Sequence, residues 1–282
     1  MNRIELKEKA KKIFLSRYWL LVGIFAIIMA ITGAVAGFSS GGSSLSSGFS
    51  AVLRDNGMSA EAGVALALII CLVSLIVCSL ALIVSIFGTN IISVGAANVG
   101  LRAMRGEGYG IKDIFSGFKK NVYFRNVGGM ALYTLFTGLA ALVIIIPGTL
   151  LSIALAFLLS KLPVWAFVIL YTLYMLILVA AALVPSLIIQ FGLSRVPYLL
   201  AEDDSIKPMA AIKMSWEMMT GHKGEYFMLS LSFLGWELLN VITFGITGIF
   251  WSNPYMCLTL AGYHDALVSG YEGAEVVPEV IE

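Results

Sequence analysis

The chain has 282 residues, of which 59% are hydrophobic and 12% are charged, whereas an ordinary globular protein carries roughly 25% charged residues. So few charged side chains cannot coat a soluble fold, and the composition excludes a cytosolic enzyme, a disordered chain and a secreted disulfide scaffold. The net charge of +1 gives no bulk attraction for nucleic acid. Three cysteines without a CxxC or a Cys/His cluster predict no metal site and no cofactor.

Six stretches are long and apolar enough to span a bilayer, since a helix needs about 20 residues to cross a hydrocarbon core of ~30 Å. They predict an all-α polytopic membrane helix bundle, with six transmembrane helices in three hairpins. The predicted spans are 19–38, 63–88, 127–159, 162–194, 226–244 and 249–267. We expect a break in the third span at Pro147-Gly148, because proline removes a backbone donor. The Gly245-Ile246-Thr247-Gly248 segment predicts a tight turn between the last two spans.

The distribution of positive charge orients these spans. With the N-terminus inside, the inside segments 1–18, 88–125 and 195–225 hold every Lys and Arg except Arg54 and Lys161, as the positive-inside rule requires. We therefore predict that both termini lie inside. A five-span arrangement stays open, because the C-terminal tail carries no Lys or Arg to fix its side. Removal of the first span as a signal peptide also stays open, because Ala34-Val35-Ala36 has the form of a cleavage site.

A basic amphipathic segment, which we call a lead helix, precedes each hairpin. The three lead helices are predicted over 1–18, 110–125 and 205–221, where apolar residues recur at helical spacing on one face. In the third, Ser205 is the expected N-cap and Gly221 the expected end. Lead helices of this kind either lie in the plane of the lipid headgroups or pack on the inner ends of the bundle. Both arrangements predict the same placement of the lead helices.

Two further segments lie outside this pattern. Residues 39–62 are rich in Gly and Ser and predict a flexible external loop. Residues 269–282 predict a short, acidic, solvated tail.

Glu237 is the most unusual residue of the predicted spans. A charged side chain near mid-membrane costs roughly 2.5–3.5 kcal/mol, and no Lys or Arg inside a predicted span offsets it. Asn240 lies one turn further on the same face, and Tyr255 is level with Glu237 if the chain turns at 245–248. These three residues form a candidate intramembrane polar site for a proton, an ion or a polar substrate. A buried, hydrogen-bonded carboxyl that fixes helix packing is the alternative, as is a shifted span that leaves Glu237 near water.

The basic lead helices offer candidate contacts for lipid headgroups. Lys119 and Lys120 lie in the second lead helix, and His222 and Lys223 follow the third. Such residues could meet a lipid phosphate or an anionic partner, or could simply anchor the chain at the interface.

The C-terminal third resembles an uncharacterised bacterial family of integral membrane proteins, the domain of unknown function number 975. The segments that carry the resemblance are Pro197–Glu202, Ala211–Ser215, Met219–Lys223, Leu231–Trp236 and Thr243–Ile246, followed by Pro254, Tyr255 and Tyr263. The N-terminal Arg3–Lys7 and Ala10-Lys11 also resemble that family's start. Ile146-Pro147-Gly148 is similar to a motif in the membrane region of some glycerophosphodiester phosphodiesterases. The resemblance implies a bacterial cytoplasmic membrane and supplies no activity or catalytic residue.

Two functions fit these features. The first is transport or export of an ion, a lipid or a small amphiphile. The second is a non-catalytic scaffold or accessory subunit that binds lipid or partner proteins, as a homo-oligomer or with another membrane protein. The sequence offers no paired catalytic groups, so we expect no enzyme, although an intramembrane enzyme acting on lipid stays open.

Overall fold

The structure is a computed structural model that describes residues 3–33, 68–69, 72–73, 75–77, 79–80, 83–159 and 163–275. Throughout these ranges the regular structure is helical and contains no strand. The predicted all-α class is therefore confirmed for the described part of the chain. The predicted external loop 39–62 lies outside the described residues, as do parts of the span 63–88 and the tail beyond residue 275.

The α-helices whose bounds the structure describes are numbered here in chain order. They are α1 (Arg3–Ser16), α2 (Tyr18–Gly33), α3 (Asn90–Met104), α4 (Tyr123–Leu159), α5 (Val164–Gly192), α6 (Val196–Glu202), α7 (Pro208–Met219), α8 (Lys223–Leu231), α9 (Leu234–Ile242) and α10 (Asn253–Glu275). Single π-helical turns, Ser85–Thr89 and Gly248–Ser252, precede α3 and α10. A 3₁₀ segment, Ile111–Phe118, lies between α3 and α4.

These elements form two compact units. The first unit comprises Met1–Val127 and Phe233–Ala266, and the second comprises Gly128–Ser232 and Leu267–Glu282.

The core of the first unit depends on a close crossing between α3 and the 3₁₀ segment. A Cβ added at Gly95 would lie 1.7 Å from the Ile114 carbonyl oxygen. A Cβ added at Gly117 would lie 2.8 Å from Ile91 Cγ2. Only glycine on each side allows the two backbones to approach so closely. The Asp113 carboxylate accepts the Gly110 N–H at 2.7 Å and fixes the start of the 3₁₀ segment.

Ion pairs at one end of α3 complete this packing. The Arg102 guanidinium donates to the Asp113 carboxylate at 2.6 Å, and Arg105 donates to Asp265 of α10 at 2.7 Å. Along the helix, Gly100 of α3 lies against the Cys257 sulfur of α10. The sequence analysis did not predict α3, because it assigned residues 88–125 to an inside segment with one helix at 110–125.

The second unit contains the two longest apolar helices. Tyr123–Leu158 has a mean hydropathy of 2.5 and Val164–Glu202 one of 2.6, and only 12% and 0% of their most apolar stretches are buried. Their exposed side chains include Leu139, Leu142, Val143, Ile146, Leu150, Ile153, Val168, Ile169, Leu173, Leu176, Ile177 and Leu183. Both helices are long and apolar enough to cross a membrane. The pair α1 and α2 passes the same test only as one span bent by 94°. The count of such helices in the described residues is thus two or three, and the six predicted spans stay a prediction.

Several predicted details of these helices are wrong. The helix α4 runs unbroken through Pro147, where we expected a break. Beside the proline, the Tyr174 hydroxyl of α5 donates to the Gly148 carbonyl. The predicted helix 110–125 is instead the short 3₁₀ segment, since its glycine must approach α3. The predicted span 226–244 is interrupted at Ser232-Phe233, where α8 ends and α9 begins.

The turns around the third lead helix and the last hairpin agree better with the sequence. Helix α7 ends at Met219, and Gly221 has a φ of 85°, as its predicted role as a helix end requires. Its start differs, because Lys207 rather than Ser205 occupies the N-cap and Pro208 the first turn. The predicted turn at 245–248 is centred slightly earlier, on Phe244 and Gly245, which have positive φ values of 51° and 88°.

The close approach at Gly95 predicts that one added methyl group at this position destabilises the protein. Replacing Gly95 with Ala should lower the midpoint of thermal unfolding in detergent by several degrees, since the new Cβ overlaps the Ile114 carbonyl; overpacking of this kind costs about 1–3 kcal/mol. Gly23→Ala in α2 is the control, because nothing lies within 4 Å of its Cβ position. There the helix propensity of alanine should leave stability unchanged or raise it. Equal midpoints for the two variants would contradict the crossing.

Candidate functional site

Glu237 lies in the first turn of the short helix α9 and is partly exposed. Among the described residues its carboxylate has no hydrogen-bond or ion-pair partner. The break at Ser232-Phe233 moves Glu237 from the middle of a predicted helix to a helix start, where the helix dipole favours negative charge. The residue is thus electrostatically tolerated by the backbone while its carboxylate oxygens stay available.

Asn240 serves the turn rather than Glu237. Its side-chain oxygen accepts the backbone N–H of Gly248 at 2.8 Å. The hydroxyl groups of Thr243 and Thr247 bond to each other at 2.8 Å across the same turn. Asn240 therefore ties α9 to the start of the final helical segment.

Tyr255 packs on an aromatic ring of the same unit. Its ring meets Phe233 edge to face, with centroids 5.5 Å apart. No hydrogen bond joins its hydroxyl to Glu237 within the described structure. The three predicted residues of the polar site thus lie in one unit, but the described structure does not link them by hydrogen bonds.

An aromatic cluster that the sequence analysis did not predict connects α1 with the last hairpin. Trp236, beside Glu237, stacks on Trp251 with centroids 5.9 Å apart. Trp251 in turn meets Phe14 of α1 edge to face at 5.2 Å. The Trp251 indole N–H is buried and has no acceptor among the described residues. The sequence signal for this cluster was a pair of tryptophans, fifteen positions apart, on either side of a turn.

Cations of the first lead segment pack on aromatic rings. The Lys7 ammonium lies 4.3 Å from the Phe233 ring centroid. Burial lowers the pKa of Lys7 below its ordinary value, and the nearby positive charge of Arg3 lowers it further. The Arg17 guanidinium lies 5.4 Å from the Tyr109 ring. Burial raises the pKa of Tyr109, and Arg17 opposes that rise.

The predicted headgroup contacts fall into two different settings. Lys119 and Lys120 are exposed at the end of the 3₁₀ segment, with no ion-pair partner in the part of the chain that the structure describes. In the second unit, His222 lies 3.5 Å from the Glu225 carboxylate. The Lys223 ammonium lies 3.6 Å from the centroid of the Trp216 ring.

Trp216 belongs to an open groove of about 400 Å³, which we call the α7 groove. Helices α4, α5 and α7 form it, together with the residue that follows α5. Its lining residues are Phe136, Ile189, Leu193, Met209, Ile212, Lys213, Trp216 and Glu217. Six of the eight are apolar or aromatic, and the two charged residues come from α7. The sequence analysis placed His222 and Lys223 near this lead helix but did not predict the groove, because its other walls come from distant parts of the chain.

Arg195 is a second feature that sequence reasoning missed. Its side chain is fully buried, and its guanidinium lies 4.8 Å from the Tyr198 ring and 4.9 Å from the Tyr226 ring. Its backbone N–H donates to the Ser215 hydroxyl at 3.2 Å, which itself donates to the Gly192 carbonyl. Arg195 thus joins α6, α7 and α8, whereas the sequence showed only a positive charge at a span end. Tyr198, three residues later, was the available signal.

The two rings around Arg195 predict a strong preference for a planar cation. Arg195→Lys should destabilise the protein by about 1–2 kcal/mol, because an ammonium cannot stack on both rings as a guanidinium does. Arg105→Lys is the matched control, since its exposed pair with Asp265 is worth about 0–1 kcal/mol. The readout is the midpoint of thermal unfolding in detergent. Equal shifts for both variants would show that the stacking contributes nothing.

Comparison with known proteins gives a family and no activity. No curated protein and no solved structure matches the chain. The sequence family described as a protein of unknown function, DUF975, matches residues 1–269. This confirms the family resemblance over nearly the whole chain, while the similarity to the membrane region of some glycerophosphodiester phosphodiesterases stays a prediction. The chain belongs to the DUF975 family.

Proposed function

We propose that the chain is an integral protein of a bacterial cytoplasmic membrane that transports or exports an ion, a lipid or a small amphiphile. In this proposal six spans form three hairpins, with both termini inside and the lead helices at the inner surface. The exposed apolar faces of α4 and α5 support the membrane location, because water would penalise them and hydrocarbon would not.

Glu237 is the observation that carries the transport proposal. It lies in an apolar hairpin whose neighbouring residues include Leu234, Leu238 and Leu239, all exposed. The Asn240 side chain is hydrogen-bonded within the turn, and the Tyr255 ring packs on Phe233. A carboxylate left available in hydrocarbon needs a proton, water or a ligand, and ionisable residues inside spans mark the pathways of protons and ions. Glu237 would therefore bind the coupling proton or a cation.

A scaffold function is the second candidate, and the α7 groove favours it. An apolar groove on a basic lead helix can hold lipid or the side chain of a partner protein without moving anything across the membrane. The two functions differ in what they require of Glu237. Transport needs its carboxyl group, whereas a scaffold needs only the shape and charge of the lead helices.

Removal of the Glu237 carboxyl should abolish ion movement. Purified protein is placed in lipid vesicles that carry an imposed pH gradient, and collapse of the gradient is followed with a trapped pH-sensitive dye. We expect the native protein to speed the collapse and Glu237→Gln to lose at least about tenfold of that rate, a typical effect for an essential proton carrier. Glu8→Gln is the control, because Glu8 is exposed on α1 outside the predicted spans.

Two outcomes would contradict transport by way of Glu237. In the first, the pH gradient collapses no faster in vesicles that contain the native protein than in protein-free vesicles. In the second, Glu237→Gln matches the native rate. Either result would favour the scaffold function.

A further inference from the structure

The α7 groove has a mostly apolar lining that includes two charged side chains. Phe136 and Ile189 lie on α4 and α5, the two helices with exposed apolar faces, and form one side of the groove. Lys213 and Glu217 lie on α7, which also contributes Met209, Ile212 and Trp216. Its volume of about 400 Å³ falls within the range of roughly 300–1,000 Å³ in which proteins bind small molecules. The groove therefore fits a molecule with one apolar part and one polar end.

Lys213 and Glu217 line the groove and Lys223 lies beside it, so these three side chains, which we call the rim, together carry one net positive charge. Lys213 is exposed, and within the described chain no ion pair joins it to Glu217. The Lys223 ammonium lies on the ring of Trp216, which lines the groove and is 39% exposed. Two ammonium groups thus stand against the single carboxylate of Glu217. The rim accordingly favours an anionic headgroup over a zwitterionic one.

We propose that the α7 groove binds one anionic phospholipid, with an acyl chain against Phe136, Ile189 and Met209 and its phosphate between Lys213 and Lys223. This inference rests on the membrane location proposed above, but not on transport. If α4 and α5 lie in hydrocarbon and the lead helix α7 lies at the inner surface, the groove opens where acyl chains meet phosphates. Tryptophan is enriched at that depth, and Trp216 occupies it here. A phospholipid of the inner leaflet matches both the apolar lining and the charge of the rim.

Binding of phosphatidylglycerol and phosphatidylcholine tests the charge of the rim. The full-length protein in detergent is titrated with each lipid, and bound lipid is counted by native mass spectrometry. We expect one tightly bound phosphatidylglycerol and a weaker phosphatidylcholine. The double variant Lys213→Gln, Lys223→Gln should bind phosphatidylglycerol about 30-fold less tightly, since each lysine near an anionic lipid contributes a factor of roughly five.

A matched control separates this site from general attraction. Lys112→Gln with Lys207→Gln removes two exposed lysines that neither line the groove nor lie on the ring of Trp216, and it should leave the affinity unchanged. A third variant, Ile189→Trp, fills the apolar side and leaves both lysines in place. The Ile189→Trp variant should also lose the tightly bound lipid. Elution as a monodisperse peak would show that the variant is folded.

The proposal is overturned by any of four results. These are equal affinity for the two lipids, equal losses in the two double-lysine variants, full binding by Ile189→Trp, and a dimer that carries no lipid, which would place a second copy of the chain in the groove. Each result leaves the membrane location untouched, because the protein would still require detergent to stay in solution.

Discussion

The apolar surfaces of α4 and α5 are the constraint on which the rest of this protein depends. Exposed leucine, isoleucine and valine side chains follow one another along both helices. In water each Å² of such surface costs about 25 cal/mol, and continuous apolar faces of this length lead to aggregation. In hydrocarbon the same faces cost nothing. The membrane location proposed above would let the chain carry so few charges, because most of its surface would then not meet water.

The first unit is held together by buried apolar side chains, by close backbone packing and by ion pairs. Gly95 and Gly117 let two backbone segments approach, and Gly100 does the same for α3 and α10. Arg102 and Arg105 each pair with a carboxylate at the end of α3. Small residues bring the segments together, and ion pairs near the surface fix their ends.

Helical periodicity and the positions of glycine in the sequence predicted much of this fold. The helical class, the left-handed Gly221 after α7 and the turn near Gly245 all follow from local chemistry that a single sequence displays. The helix through Pro147 could not be predicted, because proline removes a backbone donor and by itself favours a break, whereas α4 continues through it. The 3₁₀ segment depends on the depth to which Gly117 must approach α3, which is a property of the packed unit.

The candidate sites likewise combine features that the sequence shows with features that depend on the packed fold. Glu237 was evident from sequence as a lone carboxyl in an apolar stretch, but the break at Ser232-Phe233 and the commitment of Asn240 to its turn were not. The lysines near the third lead helix were evident as charges. The α7 groove needs residues from α4, α5 and α7, which lie far apart in the chain. Arg195 is buried between two tyrosine rings, a position that charge counting assigns to the membrane surface.

The sidedness of the chain tests this account most directly. Cysteines are introduced singly at Ser44 and Lys119, after Cys71, Cys78 and Cys257 have been replaced with Ser, and intact cells are treated with a membrane-impermeant maleimide. The account predicts that Ser44→Cys is labelled in intact cells and that Lys119→Cys is labelled only after the cells are permeabilised. Labelling of both positions from the same side, or recovery of the protein as a monodisperse species without detergent, would contradict it.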